Sequence, residues 1–218
     1  MSGAFAVVNP ATEEVLRTVH DLTVEETDAA IARAAAAFPA WAALAPAERG
    51  RLLHRFAERI DAARDELAAL EVDGAGHTVR NARWEASNVR DVVSYYAAAP
   101  ERHFGRQIPV SGGIDLTFRE PLGVVGVVVP WNFPMVIAAW GFAPALAAGN
   151  TVLVKPAQLT PLSAMRLGAL AVEAGLPDDV LQVVTGSGSE VGWRFVEHPA
   201  VRKVCFTGST EVGKRIMA

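Results

Sequence analysis

Several features that mark secreted or membrane proteins are missing from this chain. Its 218 residues contain a single cysteine, Cys205, which excludes a disulfide within the chain and fits a reducing compartment. No apolar stretch reaches the length of about 18 residues that a transmembrane helix requires. The opening residues, MSGAFAVVNPATEE, lack the basic and apolar regions of a secretory signal. We therefore expect a cytoplasmic protein that does not bind a membrane.

An excess of positive charge is also missing. The chain has 20 Lys and Arg residues against 24 Asp and Glu residues, which gives a formal net charge of −4. This balance provides no electrostatic reason to bind nucleic acid or an anionic membrane surface. Apolar residues make up 51% of the sequence, and its length suffices for a large domain with a packed core.

The N-terminal part of the sequence predicts three helical segments. Thr23-Val24-Glu25-Glu26 has capping-box spacing and predicts a helix that ends near Phe38. Apolar residues at helical spacing predict a second helix from Pro46 to Asp73 and a third from Asn81 to Ala99.

A β-hairpin is predicted after these helices. Residues 106–110 and 114–119 flank Ser111-Gly112-Gly113, which has the composition of a turn. A hairpin that projects between helical regions often pairs with a partner subunit, whereas the alternative is a surface hairpin on a monomer. The residues alone leave both interpretations open.

Strands and helices alternate from residue 122 onward. We predict strands at 124–129, 151–155, 180–184 and 203–206, and helices at 135–148, 162–173, near 189–197 and from about 209. Short apolar strands that alternate with helices indicate an α/β fold with a parallel sheet covered on both faces. Ligands of such sheets bind at the carboxyl ends of the strands.

The residues that follow each predicted strand form a consistent set. Asn132 follows the first strand, Lys155 ends the second, Gly186-Ser187-Gly188 follows the third and Gly208-Ser209 follows the fourth. Small residues admit a ligand to the backbone, helix N-termini favour phosphate, and a lysine can donate to ribose or phosphate. Each feature alone has an ordinary explanation as a turn, a surface lysine or an N-cap. Together, at one edge of a sheet, they predict a nucleotide site.

Asn132 lies in the motif Pro-Trp-Asn-Phe-Pro at 130–134, between a predicted strand and a predicted helix. The amide and backbone N–H groups of such a turn can stabilise negative charge that develops on an oxygen. The alternative is that Asn132 is an ordinary turn residue.

The order and spacing of these motifs resemble the aldehyde dehydrogenase superfamily over essentially the whole chain. The motifs are PWNFP at 130–134, GNTVLVKPA at 149–157, FTGSTEVG at 206–213, NPAT at 9–12 and REPLGVVG at 119–126. The resemblance implies N-terminal helices and a Rossmann-like parallel sheet with helices on both faces and a protruding β-hairpin. It also implies a helical part of the cofactor-binding domain at 1–102, an oligomerisation-type hairpin at 103–121 and an incomplete cofactor-binding sheet at 122–218. A catalytic domain is expected to be absent.

The resemblance assigns roles to individual residues. Asn132 is similar to the amide that stabilises the oxyanion, Lys155 to the lysine at the adenosine ribose, and Ser209 to the residue at the pyrophosphate. The expected cofactor-binding residues are Val128, Val129, Pro130, Trp131, Asn132, Lys155, Gln158, Gly188, Gly192, Phe206, Gly208, Ser209 and Val212. Phe133 and Trp140 resemble aromatic residues of a substrate tunnel, with plain core aromatics as the alternative. No metal ligand is assigned.

Gln158 departs from the resemblance. The family often has an acid at this position, which bonds both ribose hydroxyls and repels a 2′-phosphate. A neutral amide removes that repulsion, so we expect that both NAD and NADP are accepted.

The implied reaction is the oxidation of a small-molecule aldehyde to a carboxylic acid with NAD(P)+. It needs a cysteine nucleophile and a glutamate base, which the resemblance places beyond the segment matched here. Cys205 is predicted inside a buried strand, where an apolar thiol is inert, and we do not assign Glu211 as the base. The chain alone is therefore expected to be a C-terminally truncated and inactive part of an enzyme that forms a homo-oligomer when full length.

Two other functions remain open. The first is a non-catalytic module that binds a dinucleotide or pairs with another subunit through the hairpin at 106–119. The second is a relative of the acyl-phosphate or semialdehyde reductases, which PWNFP and FTGSTEVG together disfavour.

Overall fold

The chain begins with a short β-hairpin in the computed structural model, which describes residues 3–218. Strands β1 (Gly3–Val8) and β2 (Val15–Asp21) pair in an antiparallel manner. The sequence patterns predict helices as the first elements and do not predict this hairpin. Val7 and Val19 are the buried residues of its two strands, so the alternation of buried and exposed positions is weak. Both valines pack against Leu162.

Helices α1 (Val24–Ala43), α2 (Pro46–Ala62), α3 (Arg64–Ala75) and α4 (Val79–Ala97) come next. The capping box predicted at Thr23 is present. The Thr23 hydroxyl accepts a hydrogen bond from the Glu26 N–H at 3.2 Å, and the Glu26 carboxylate accepts one from the Thr23 N–H at 2.8 Å. The predicted end near Phe38 is wrong, because α1 continues through Pro39 to Ala43.

The prediction of a single helix from Pro46 to Asp73 is wrong. The helix breaks at Ala63, where φ is −93° and ψ is 12°. Ala63 donates its N–H to the carbonyl of Arg59 and accepts from the N–H of Leu67, so both helices keep their backbone hydrogen bonds. The apolar spacing continues across this break, and the sequence therefore carries no signal of it. Gly76 ends α3 in the left-handed region, with φ of 73°.

The hairpin predicted after the helices is confirmed. Strands β3 (Gln107–Val110) and β4 (Gly113–Leu116) pair in an antiparallel manner across a turn at Ser111 and Gly112. Gly112 has φ of 75°, a conformation that favours glycine. Both strands are exposed along their whole length.

The main sheet is parallel, as predicted, and has four strands in the described part of the chain. They are β5 (Val124–Val128), β6 (Thr151–Lys155), β7 (Leu181–Val183) and β8 (Val201–Phe206). Their spatial order is β7-β6-β5-β8. Strands β6 and β7 are therefore added in sequence on one side of β5, and β8 is then added on the other side of β5. In doubly wound folds this reversal opens a crevice beyond the strand ends, here between β5 and β8.

Helices cover both faces of the sheet. Helices α5 (Pro134–Ala147) and α6 (Leu162–Glu173) pack on the face formed by Val125, Val127, Val152 and Val154, with α2 and α4 behind them. Helices α1 and α7 (Trp193–Glu197) cover the other face. Gly126 allows α7 to approach, because a Cβ at that position would lie 2.7 Å from the ring of Phe195. A π-helix, Gly188–Gly192, leads into α7, and α8 (Thr210–Met217) follows β8.

Within residues 3–218, no single helix is both long and apolar enough to cross a membrane. Helices α1 and α2 pass that test of length and composition only when taken together, and they are bent by 118° at their junction.

Candidate functional site

A cavity of about 790 Å³ lies at the carboxyl ends of β5 and β8, at the crevice that the strand order opens. Five parts of the chain line it: residues 128–132 at the end of β5, Ala157 after β6, the π-helix with α7, residues 206–209 at the end of β8, and α8. The predicted site residues that it brings together are Val128, Val129, Pro130, Trp131, Asn132, Gly188, Gly192, Phe206, Gly208, Ser209 and Val212. Lys155, Gln158, Phe133 and Trp140 are not among the lining residues.

The loop that carries Asn132 is anchored by hydrogen bonds on both sides. The N–H of Val129 donates to the carbonyl of Lys155 at 3.0 Å, and the hydroxyl of the buried Thr160 donates to the carbonyl of Trp131 at 3.1 Å. The next helix, α5, begins at Pro134, a residue suited to the first helical position because it lacks an N–H. Asn132 is thereby held exposed at the rim of the cavity, close to a helix N-terminus.

The N-terminus of α8 provides hydrogen-bond donors at the same cavity. The Ser209 hydroxyl caps the helix by accepting from the N–H of Val212 at 3.3 Å, which leaves its own O–H available to a ligand. A helix N-terminus and its free N–H groups favour an anion such as a pyrophosphate. On the same helix face, Arg215 stacks on Trp193, with its guanidinium 4.8 Å from the ring centroid.

Arg215 and Trp193 were not predicted from the sequence. Helical spacing offered a signal for Arg215, because it lies three residues after Val212 and therefore shares a face with it. Trp193 follows the π-helix, and the sequence carried no signal of that irregular turn. Together they place a cation and an aromatic surface on the wall of the cavity.

Lys155 ends β6 beside the cavity and is only 4% exposed, which excludes the alternative of a solvated surface lysine. Its aliphatic stem packs against Gly192, where an added Cβ would lie 3.6 Å from Cδ of the lysine. Burial lowers the pKa of Lys155 to about 8, although the attraction of the Asp21 carboxylate opposes that shift.

Asp21 is a further residue that sequence reasoning missed. Its Oδ2 accepts a hydrogen bond from Nε2 of Gln158 at 3.2 Å, and its Oδ1 is buried without a hydrogen-bond partner among the described residues. The end of β2 is fixed there because the Thr185 hydroxyl donates to the carbonyl of His20 at 2.7 Å. No local pattern connects Asp21 with Gln158, which follows 137 residues later.

The sequence model of the aldehyde dehydrogenase family matches residues 1–218. The chain belongs to the aldehyde dehydrogenase family. Both the resemblance found in the sequence and the predicted α/β fold class are thereby confirmed, and membership supports an oxidoreductase.

Solved aldehyde dehydrogenase structures superpose closely on this chain. The enzyme from Brucella melitensis biovar abortus 2308 is 39% identical, with a TM-score of 0.97. An aldehyde dehydrogenase from Bacillus cereus, solved as its NAD+ complex, is 41% identical with a TM-score of 0.96, and an NADP-dependent enzyme from E. coli is 38% identical with a TM-score of 0.97. Each alignment covers 99% of this chain and 45% of the other, so the chain spans about 45% of the length of these relatives.

The two aromatics that resemble a substrate tunnel in aldehyde dehydrogenases are not core residues. Phe133 is 39% exposed and Trp140 is 57% exposed, so neither side chain is buried in the core of this chain. Trp140 lines a separate cleft of about 510 Å³ with Tyr95 and Tyr96, and its indole N–H donates to Oδ1 of Asn88 at 3.3 Å. Phe133 instead stacks obliquely on His77, with ring centroids 5.4 Å apart.

The single thiol of this aldehyde dehydrogenase chain does not line the cavity. Cys205 pairs with Val127 and packs on the face of the sheet that α5 covers. Phe206, the next residue, lines the cavity. Cys205 is half-buried rather than buried as the sequence predicted, because β8 lies at the edge of the sheet.

Proposed function

We propose that this chain forms the dinucleotide-binding part, and half of the oxyanion hole, of an enzyme that oxidises an aldehyde to a carboxylic acid with NAD(P)+. The observation that carries the proposal is the cavity between β5 and β8. It lies at the switch point of the strand order, with the Asn132 loop on one side and the N-terminus of α8 on the other.

The residues present fit a dinucleotide. A Cβ added to Gly188 would meet nothing within 4 Å, so the backbone there is open to a ligand, and Ser209 offers its hydroxyl at a helix N-terminus. Lys155 and Gln158 lie beside the cavity, where they would contact the adenosine ribose. The bound dinucleotide would accept the hydride, while this chain binds and orients it.

Asn132 would donate a hydrogen bond from its side-chain amide to the aldehyde oxygen as negative charge develops there. The loop is anchored through Thr160 and Lys155, so this donor needs little reorganisation during the reaction. Loss of one such donor typically lowers kcat by about 10² to 10³.

The cofactor choice rests on Gln158 and Asp21. Gln158 is neutral, which favours acceptance of both NAD and NADP, but it donates to the carboxylate of Asp21. We therefore propose that both cofactors bind and that Asp21 keeps NAD the tighter of the two. The relatives support both, since one was solved with NAD+ and another is an NADP-dependent enzyme.

The nucleophile and the general base are proposed to come from residues outside this sequence. Cys205 lies on the sheet face opposite to the cavity-lining Phe206, and the chain spans about 45% of its relatives. These 218 residues alone should therefore bind the dinucleotide without oxidising an aldehyde.

Residues 103–121 are proposed as an oligomerisation element. In and beside this hairpin, Ile114 is 81% exposed and Phe118 is 80% exposed, and such apolar residues are suited to burial against a partner subunit. Residues 1–102 and 122–218 would then form the cofactor-binding domain.

Calorimetric titration of the chain with NAD+ and NADP+ tests the binding proposal. We expect one dinucleotide per chain and no NADH when an aldehyde is added. Absence of dinucleotide binding at millimolar concentration would overturn the proposal, and aldehyde-dependent NADH formation would overturn the assignment of the nucleophile.

The alternative function is a non-catalytic module that binds a dinucleotide or pairs with a full-length homologue. The coding sequence after codon 218 separates the two functions. An in-frame continuation with a cysteine and a glutamate supports the enzyme, and in that longer protein Asn132→Ala should lower kcat by about 10² to 10³. A stop codon at that point supports the module.

A further inference from the structure

Three ligating side chains converge behind the Asn132 loop. Glu71 lies on α3, Glu85 lies on α4, and His77 lies in the turn between these helices. Nδ1 of His77 is 2.6 Å from Oε1 of Glu85 and 3.8 Å from Oε2 of Glu71, and one ligating atom from each residue lies within 4.8 Å of the other two. No local sequence pattern indicates this cluster, because Glu71 and Glu85 belong to different helices.

The two glutamates are buried and incompletely hydrogen-bonded. Glu71 is 1% exposed and Glu85 is 0% exposed. Within residues 3–218, neither oxygen of Glu71 nor Oε2 of Glu85 has a hydrogen-bond partner of ordinary geometry. Burial raises the pKa of Glu71 to about 7, although contacts with Ser163, His77 and the backbone of Met135 oppose that shift. Buried carboxylate oxygens without partners are costly, so the cluster has spare capacity to bind a cation.

His77 is the only cationic partner of the cluster among residues 3–218. Glu71 and Glu85 each pair with His77, and neither forms an ion pair with a lysine or arginine of the described residues. Burial raises the pKa of Glu85 to about 7 as well, so both carboxyl groups are partly protonated near neutral pH and a bound cation would displace those protons. A divalent cation bound to neutral imidazole would balance both carboxylates.

We propose that Glu71, His77 and Glu85 form a binding site for a divalent transition-metal ion, with Zn²⁺ as the best match. Imidazole nitrogen and carboxylate oxygen are common zinc ligands, and three protein ligands leave one position for water. Ligands about 2.0–2.2 Å from a tetrahedral ion lie roughly 3.3–3.6 Å apart. The distances of 2.6 and 3.8 Å from His77 Nδ1 bracket that spacing, and the three ligating atoms all lie within 4.8 Å of one another, so side-chain adjustments would bring them to one ion.

The site would connect two helices to the loop of the candidate active site. His77 is 16% exposed at its side chain, which provides an entry path, and its ring stacks against Phe133, the neighbour of Asn132. A bound ion would fix the turn between α3 and α4 against this loop. The role is structural, because Asn132 itself lies on the cavity rim and not among the ligands.

Calorimetric titration of the untagged, metal-free chain with Zn²⁺ tests the site directly, without any measurement of enzyme activity. We expect one equivalent of Zn²⁺ and release of the proton that now joins His77 to Glu85, seen as a dependence of the heat on the buffer. Glu85→Gln and His77→Gln should each weaken Zn²⁺ binding by more than tenfold. His20→Gln is the matched control, because His20 also pairs with a glutamate at 3.0 Å but does so on the surface.

Absence of Zn²⁺ binding, or binding that both cluster variants retain, would overturn the proposal. If a variant does not fold, titration of the unmodified chain with Co²⁺ still tests the site. Co²⁺ absorbs strongly in the visible range when its coordination is tetrahedral. A strong visible band that one equivalent of Zn²⁺ abolishes supports the site, and a chain whose Co²⁺ remains octahedral contradicts it.

Discussion

The Gln158 amide donates a hydrogen bond to Oδ2 of Asp21, 3.2 Å away, and so joins the end of the N-terminal hairpin to the loop after β6. This contact places a carboxylate beside the position expected for the adenosine ribose. The carboxylate beside Gln158 thus comes from a residue 137 positions earlier in the sequence.

Asp21→Asn should reduce the difference in Kd between NAD and NADP. The substitution removes a charge that repels a 2′-phosphate, so we expect the ratio of the NADP Kd to the NAD Kd to fall by about tenfold, the equivalent of about 1.4 kcal/mol. Asp115→Asn, on the exposed β4, is the control for net charge. An unchanged ratio in Asp21→Asn would show that Asp21 does not influence cofactor choice.

Lys155→Met should stabilise the fold at neutral pH. The pKa of Lys155 falls from 10.5 to about 8 on folding, so the unfolded chain binds more protons between these values and stability rises with pH across that window. At pH 7 the cost of burying the ammonium is fully present, and its removal should raise the free energy of unfolding by about 2–3 kcal/mol at most.

Urea unfolding of Lys155→Met at neutral and alkaline pH measures this effect. The difference from the unmodified chain should shrink as the pH rises above 8. Dinucleotide affinity should fall in the same variant, because a donor to ribose or phosphate is lost. Lys203→Met, at an exposed position of β8, should change neither quantity.

Thr160→Val should loosen the loop that carries Asn132. The variant keeps the shape of the side chain but leaves the carbonyl of Trp131 without its hydroxyl donor. We expect a loss of about 1 kcal/mol in the free energy of unfolding and faster amide exchange in residues 130–133. Thr18→Val, exposed on β2, is the matched control. Unaltered exchange in the loop would mean that the hydroxyl does not anchor it.

Gly188→Leu should block the cavity without destabilising the fold. A side chain at Gly188 meets no protein atom within 4 Å at its Cβ and extends from the lining of the cavity. We expect the thermal midpoint to stay within a few degrees and dinucleotide affinity to fall by at least about tenfold. Gly126→Ala is the opposite case, since its Cβ would collide with Phe195, and it should lower the thermal midpoint. Dinucleotide affinity that survives Gly188→Leu would place the ligand elsewhere.

The strands of the main sheet could be predicted because they are short apolar runs bounded by glycine, proline or polar residues. The β1–β2 hairpin could not, because it buries little beyond Val7 and Val19 and relies on packing against Leu162. The break between α2 and α3 at Ala63 could not be predicted either, since neither glycine nor proline lies there. Both misses arise where tertiary packing, rather than local composition, determines the backbone.

The residues of the candidate site also include some that the sequence predicts and some that it does not. Asn132, Gly188 and Ser209 could be predicted because each follows a strand that the apolar pattern reveals, and parallel strands bring their carboxyl ends to one edge. Asp21 could not be predicted, because its position depends on a hairpin that docks against Thr185. Gln158 was identified, but its partner was not.

The π-helix at Gly188–Gly192 shows that the number of residues in this segment, as well as the side chains, determines the shape of the cavity. The N–H of Gly192 donates to the carbonyl of Ser187, five residues earlier, at 3.1 Å, one residue more than an α-helical turn spans. Deletion of a single residue here would tighten the segment into an α-helical turn and rotate the residues before it by about 100° relative to α7. Gly188 would then leave the cavity wall although no lining side chain had been substituted. A one-codon deletion in this segment is therefore a route by which a gene could abolish ligand binding while every strand and helix of the sheet stays in place.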